Sequence, residues 1–251
     1  MPRNASSPVA LVTGAAKRLG LAMATHLHQQ GYNIIVHFGG SKEDALTQVA
    51  TFNAMRSNSA VALEANLCDI QQVEALAEQS LAKWGRIDVL INNASSFYPT
   101  PLGNIGVQDW TSLVGSNVQG PLFLSQALHA ALKAQCGCIV NMVDMHIDRP
   151  LPHHSVYSLA KGALATLTKS LALDMAPDVR VNAIAPGAIL LPERALTEQE
   201  KQQMLASIPL GELGRSEDIA QTMAFLVNSP YITGQIVYVD GGRSLHTGAS
   251  A

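Results

Sequence analysis

Tyr157 and Lys161 stand four residues apart in the run Tyr157-Ser158-Leu159-Ala160-Lys161. On a helix that spacing puts the phenol and the ammonium on one face. A nearby ammonium favours phenolate, so the pair is expected to bring the tyrosine down from its usual range toward that of a working general acid or base. Thirteen residues before the tyrosine, Asp144 closes the apolar run that begins at Cys138. An ionised carboxylate only accepts hydrogen bonds, so Asp144 suits a ligand rich in N–H groups better than one presenting a carbonyl oxygen. Any helix can carry Tyr-x-x-x-Lys by chance, and its meaning depends on the elements that position it.

The run Thr13-Gly14-Ala15-Ala16-Lys17-Arg18-Leu19-Gly20 joins an apolar segment to a helical pattern. Backbone amides there, with the helix N-terminus, can receive a pyrophosphate. Two adjacent cations at a helix start oppose the macrodipole unless an anion joins them. A carboxylate about 20 residues beyond the glycines would select the ribose 2′-hydroxyl of NAD. The stretch from Gly31 to Lys42 has no acid. NADP(H) is therefore expected over NAD(H), its 2′-phosphate reaching Lys17, Arg18, His37 and Ser41.

Apolar, β-branched runs alternate with helical patterns along the chain: Val9 to Thr13 then Leu19 to Gln30, Asn33 to His37 then Lys42 to Arg56, Val61 to Ala65 then Gln71 to Trp84. Ile87 to Ile91, Trp110 to Ala134, Cys138 to Val143, Val156 to Met175 and Val179 to Ala185 continue the series. This is the βαβ pattern of a parallel sheet covered by helices on both faces. The irregular stretches Ser95 to Gly106, Asp144 to Ser155 and Gly187 to Thr197 each follow a strand's carboxyl end, where open α/β sheets bind ligands. With 251 residues, 47% of them hydrophobic and 14% charged, the chain is expected to form one domain over residues 1–251, with residues 1–7 flexible. A net charge of -3 without a basic run gives no footprint for nucleic acid or an anionic membrane. No apolar stretch approaches a membrane span, and a cytoplasmic location is expected. Cys68, Cys136 and Cys138 are expected to be reduced thiols, and no metal role is expected, since Cys136 and Cys138 have no second ligand pair.

These motifs together resemble the short-chain dehydrogenase/reductase family, from end to end of the chain. The matching residues are Gly14 and Gly20, Asn92-Asn93-Ala94, Asn117, Tyr157 with Lys161, and Pro186-Gly187. The resemblance implies a Rossmann-like, doubly wound parallel sheet of seven strands with helices on both faces. It implies a catalytic tetrad of Asn117, Asp144, Tyr157 and Lys161, with Lys161 also holding the nicotinamide ribose. It further implies cofactor contacts from Gly14, Arg18, Leu19, Gly20, Asn66, Leu67, Asn93, Ala94, Ser95 and Tyr157. The segment from Pro186 and Gly187 to Ile189 would hold the carboxamide. Read without the family, Asn117 is a mid-helix residue hydrogen-bonding local backbone.

Arg18 stands where the family has its middle glycine, Ser95 follows Asn92-Asn93-Ala94 where glycine is usual, and Asp144 replaces the usual serine. These departures, with the runs TGAAKRLG, NNASSFYPTPL, NMVD and YSLAKGAL, resemble the pteridine reductase branch. That branch implies NADPH-dependent reduction of pterin C=N bonds, with dihydrofolate or dihydromonapterin as further candidate substrates. The pterin would stack on Phe97, with Arg18, Ser95, Asp144 and Tyr157 around it. The branch's arginine at the 2′-phosphate is replaced by Gly39-Gly40-Ser41, and its adenine-contacting Asp by Asn66, while Asp69 is expected to cap the next helix. His146, His153 and His154 are read as solvated or gating residues. Residues 188–208, with the polar stretch Glu193 to Gln203, are expected to form a substrate lid. Broadly apolar helices at Trp110 to Ala134 and Val156 to Met175 suggest, by resemblance, a homotetramer. The competing readings are a general carbonyl or alcohol oxidoreductase and a non-catalytic NADP-binding protein on the same fold.

Overall fold

Successive residues of a strand face opposite sides of its sheet. In β1, Val9–Val12, all four side chains are fully buried, Val9 and Leu11 in one core and Ala10 and Val12 in another. A strand without a polar face needs helices above and below it. The computed structural model describes residues 7–190 and 197–245. Most of the expected flexible start, and residues 191–196 of the expected lid, lie outside the described residues.

Six further strands join β1: β2 (Asn33–Phe38), β3 (Ala60–Glu64), β4 (Val89–Asn92), β5 (Cys138–Met142), β6 (Arg180–Pro186) and β7 (Ile236–Val239). All pair in parallel in the order β3-β2-β1-β4-β5-β6-β7. The core on the Ala10 and Val12 side is closed by α1 (Arg18–Gln29), α2 (Lys42–Met55) and α8 (Ser216–Asn228) through Met23, Leu27, Phe52, Ile219 and Met223. The opposite core is closed by α3 (Ile70–Trp84), α5 (Gly120–Ala134) and the end of α6 (Ser155–Asp174) through Val73, Leu76, Leu124, Leu128 and Ala172. This is the doubly wound α/β architecture that the sequence implied.

The chain winds outward from β1 to β2 and β3, then returns to place β4 on the other side of β1. Loops leaving β1 and β4 therefore diverge, and the crevice between them is the natural ligand site of such a sheet. The single helix expected over 110–134 is instead α4 (Val107–Val114), a π-helical turn at Gly115–Gln119, and α5. A Cβ on Gly115 would lie 2.8 Å from Cys68 Sγ, and one on Gly120 would lie 2.8 Å from Leu67 Cβ. Both glycines thus let the helix press against the loop after β3, and the wide turn between them carries Asn117. Such turns are frequent at functional sites. The remaining helix, α7 (Glu198–Ala206), begins with Thr197 and Glu200 capping one another's backbone amides. No helix among the described residues is long and apolar enough to cross a membrane.

Candidate active site

The loop after β1 is built so that backbone, rather than side chain, faces the crevice. Gly14 has φ +63°, and a Cβ on Gly20 would sit 2.2 Å from Gly14 O. The loop after β4 holds this turn in place: Thr13 Oγ1 accepts from the Asn93 and Ala94 amides at 2.9 and 3.0 Å, while Asn93 Nδ2 donates to Thr13 O at 2.8 Å. Below it, Asn92 donates to Asn141 and Asn141 to Thr168, at 2.8 and 2.9 Å, tying β4, β5 and α6 together through buried amides.

His37 is a strut in this arrangement. Its Nδ1 accepts from the Gly14 amide at 3.1 Å and its Nε2 lies 3.1 Å from Ala65 O, which requires the proton on Nε2. Burial drives the ring's pKa down to about 4, against a smaller opposite effect of the Ala65 hydrogen bond. His37 is therefore neutral with both nitrogens engaged by backbone, so that it lines the cavity without a charge to offer a phosphate. Lys17 is also engaged, 2.8 Å from Asp44 in the first turn of α2. Asp44 lies two residues beyond the acid-free stretch, and Glu64 lines the cavity beside Gly39. A stretch of sequence without an acid is therefore not a pocket without one. Asn66 Oδ1 accepts from the Cys68 amide at 3.0 Å, and Asp69 caps α3 as expected.

Two adjoining cavities meet at Ser95. One, of 370 Å³, brings together Gly14, His37, Asn66, Leu67 and Ala94; the other, of 230 Å³, brings together Arg18, Leu19, Asn93, Tyr157, Lys161 and Asp144, with Pro186, Gly187 and Ile189 on its far wall. Lys17, Gly20, Ser41 and Asn117 do not line them; Gly20 contributes by packing on Gly14. A glycine cradle at a helix start, opening into a cleft that runs across the switch point, fits a dinucleotide.

Arg18 holds φ +54°, the left-handed region that disfavours side chains. An arginine kept there, on the wall of the reacting cavity, points to a role for its guanidinium. Arg18→Gly is expected to raise stability by about 1 kcal/mol and to weaken binding of the nicotinamide dinucleotide roughly tenfold. Urea midpoints and cofactor titration check both, and unchanged binding contradicts the assignment.

At the floor of the cleft, Tyr157 Oη donates to Asp144 Oδ2 at 2.6 Å, and Asp144 Oδ1 accepts from the His146 amide at 2.8 Å. Lys161 is 3% exposed, donates to Met142 O at 2.8 Å and lies 5.8 Å from the Tyr157 ring centre. Burial pulls Lys161 down to about 8, partly offset by Asp144. The phenol moves opposite to expectation. Burial first, then the Asp144 charge and hydrogen bond, push Tyr157 well above its ordinary value, with Ser95 opposing weakly. Without a bound ligand, Tyr157 is thus a neutral proton donor across the physiological range.

Asn117 is fully buried in the π-helical turn; its Nδ2 donates to Leu113 O at 2.9 Å and Ser96 O at 3.0 Å, and its Oδ1 accepts from Ser95 Oγ at 2.8 Å. It positions the Ser95-Ser96 loop from within the helix. Phe97, on the same loop, meets the Tyr157 ring edge-on at 4.8 Å, and His154 stacks on it at 4.8 Å and 14°. His154 is thereby an aromatic partner of Phe97 in addition to a loop residue. Phe97→Ala is expected to raise KM for a flat heteroaromatic substrate about five- to tenfold, with a smaller change in kcat, since aromatic stacking contributes about 0.5–1.5 kcal/mol. Steady-state kinetics checks this, and an unchanged KM contradicts it.

A glycine cradle at the switch point and a buried tyrosine–lysine pair at the floor of the same cleft define a nicotinamide-dependent oxidoreductase. The family model described as enoyl-(acyl carrier protein) reductase matches residues 14–244. The chain is 38% identical over 287 aligned positions to pteridine reductase 1 of Leishmania tarentolae, covering 98% of this chain and 99% of that one. It is 36% identical over 238 positions to the 3-oxoacyl-[acyl-carrier-protein] reductase FabG of Staphylococcus aureus, with 93% and 96% covered. To 3beta-hydroxysteroid dehydrogenase 1 of Eggerthella lenta it is 31% identical over 246 positions, with 95% and 94% covered. The chain belongs to the short-chain dehydrogenase/reductase family.

Proposed function

We propose that this protein is an NADPH-dependent pteridine reductase, acting on C=N bonds of oxidised or dihydro pterins. The observation that carries the reading is the 2.6 Å hydrogen bond from Tyr157 to Asp144. A ketone reductase gains from a hydroxyl donor beside its tyrosine, whereas a carboxylate there presents an acceptor to the N–H edge of a heterocycle. The likeness to pteridine reductase 1 supports the same reading. The 36% likeness to FabG supports the alternative, a 3-oxoacyl thioester substrate.

Arg18, the glycine turn and Lys161 would hold the cofactor, which when bound supplies a hydride to carbon. Each C=N bond reduced also needs one proton at nitrogen, and this chain's residues provide it. Tyr157 turns its hydroxyl proton to the ring nitrogen while a proton entering at Asp144 replaces it, so that no free phenolate forms against the carboxylate. Lys161, 5.8 Å from the centre of the phenol ring, holds positive charge on that side of it. Phe97 offers the face left uncovered by His154 to the ring, and Ser95, fixed by Asn117, lies along its polar edge. Preference for NADPH rests on Ser41, whose side chain caps no amide, and on Lys17 exchanging Asp44 for phosphate.

Assembly as a homotetramer belongs to the same proposal. Leu159 and Leu173 on α6 and Trp110 on α4 are exposed well beyond the needs of one core, and light scattering showing a monomer contradicts it. Incubation with NADPH and biopterin or dihydrobiopterin, followed by chromatography, tests the activity. Tetrahydrobiopterin is the expected product; recovery of unchanged pterin contradicts the proposal.

A further inference from the structure

The cleft continues outward beyond Asp144 and Phe97 as a cavity of 650 Å³, within the roughly 300–1,000 Å³ that encloses drug-sized ligands. Arg243 lines its outer end and also lines an adjoining 220 Å³ pocket, with Met145, His146 and Leu151 common to both. The guanidinium is tethered from one side, Nε donating to Ser207 Oγ at 3.0 Å. Among the described residues it makes no ion pair. The nearby acids are engaged otherwise: Asp240 accepts the Gly242 and Ser244 amides at 3.0 and 2.7 Å, and Asp148 accepts from Tyr238 Oη. Arg149 donates to the carbonyl oxygens of Arg243 and Ser244 at 3.4 and 3.3 Å, fixing the backbone that carries Arg243. The cavity thus shares Arg18, Phe97 and Asp144 with the reacting site, and joins them through apolar Met145 and Leu151 to the held guanidinium of Arg243, which the adjoining pocket shares without them.

We propose that Arg243 is a specificity residue that anchors a carboxylate at the distal end of the substrate, so that ring-bearing substrates with an acidic tail are preferred over neutral-tailed ones. This deepens the pterin reading and rests on it for the identity of the ring. A guanidinium pre-positioned by Ser207 loses little freedom on meeting a carboxylate. Part of the wall it shares with His146 is apolar, which suits an aromatic spacer between ring and acid.

Two measurements test this. The first is the ratio of kcat/KM for dihydrofolate, which carries an acidic aromatic tail, to that for dihydrobiopterin, which does not. Arg243→Ala is expected to lower that ratio roughly tenfold, through KM for dihydrofolate rather than kcat, with Arg243→Lys recovering part of it. A residue that merely latched the chain end would move both substrates together and leave the ratio unchanged, which overturns the proposal. The second is calorimetric titration of 4-aminobenzoyl-glutamate, the tail without its ring, into the NADP⁺ complex of each variant. Binding by wild type that weakens about tenfold in Arg243→Ala supports the subsite. Absent wild-type binding, or equal binding by both, overturns it. Wild-type turnover of neither pterin would fail the reading of the ring, while the titration still decides the tail.

Discussion

Asp144→Ala is expected to lower kcat/KM for dihydrobiopterin about 10²- to 10⁴-fold, the usual contribution of a positioned proton-transfer group. The carboxylate is the hydrogen-bond acceptor of Tyr157 at 2.6 Å and supplies two of the causes that hold the phenol protonated. Without it Tyr157 loses the carboxylate through which its proton is renewed. Alanine also strips the acceptor from the His146 amide, so a loosened loop could account for part of the loss. Asp144→Asn separates the two, because its amide oxygen can still accept from that amide but cannot pass a proton on. Equal inactivity of both variants, with thermal stability of the asparagine variant close to wild type, is the expected result. An asparagine variant within a few-fold of wild-type turnover contradicts the relay. Asp144→Ser restores a donor hydroxyl and is expected to shift the remaining activity toward ketones.

Lys161→Met is expected to lose at least about 100-fold in turnover and yet to be more stable at neutral pH. Burial lowers Lys161 from its ordinary 10.5 to about 8, so folding disfavours the ammonium. Below pH 8 both folded and unfolded chains hold the proton and the folded chain bears the full cost. Between about 8 and 10.5 the unfolded chain binds more protons than the folded one, and wild-type stability rises with pH. At pH 7 the cost is about 3 kcal/mol, of which the lost hydrogen bond to Met142 O offsets about 1 kcal/mol. The variant should therefore be more stable by about 2 kcal/mol at pH 7, with the advantage shrinking toward pH 10. Denaturant midpoints of the cofactor-free protein at both pH values check this, and a variant less stable than wild type at pH 7 contradicts it. In wild type, turnover is expected to fall as pH rises through about 8 with loss of the same ammonium.

Periodicity made much of this site legible. Helical spacing placed Tyr157 and Lys161 on one face, and continuous apolar runs announced strands buried on both sides. Glycines at 14 and 20 marked a turn that tolerates no side chain at the second position. Asp144 was legible as chemistry because a carboxylate and a hydroxyl differ as partners wherever they stand. What local pattern does not encode is tertiary partnership. His37 reads as a free imidazole until β1 and β3 present Gly14 and Ala65 to its two nitrogens. Lys17 reads as a free cation until α2 brings Asp44 to it. The phenol of Tyr157 was expected to fall because a lysine is near, yet burial and Asp144 outweigh that lysine. Asn117 lies in a π-helical turn that no helical period announces, and α8 and β7 follow the last segment read from alternation. Arg243 belongs to no motif and reaches the cleft only because the chain returns from β7 across the loop after β5.

The most direct test of the central claim compares, for wild-type enzyme with NADPH, kcat/KM for dihydrobiopterin and for a 3-oxoacyl thioester. An Asp144-Tyr157 pair built for ring nitrogen predicts that the pterin is favoured by at least about 100-fold. Turnover of the thioester with no turnover of the pterin would contradict the account.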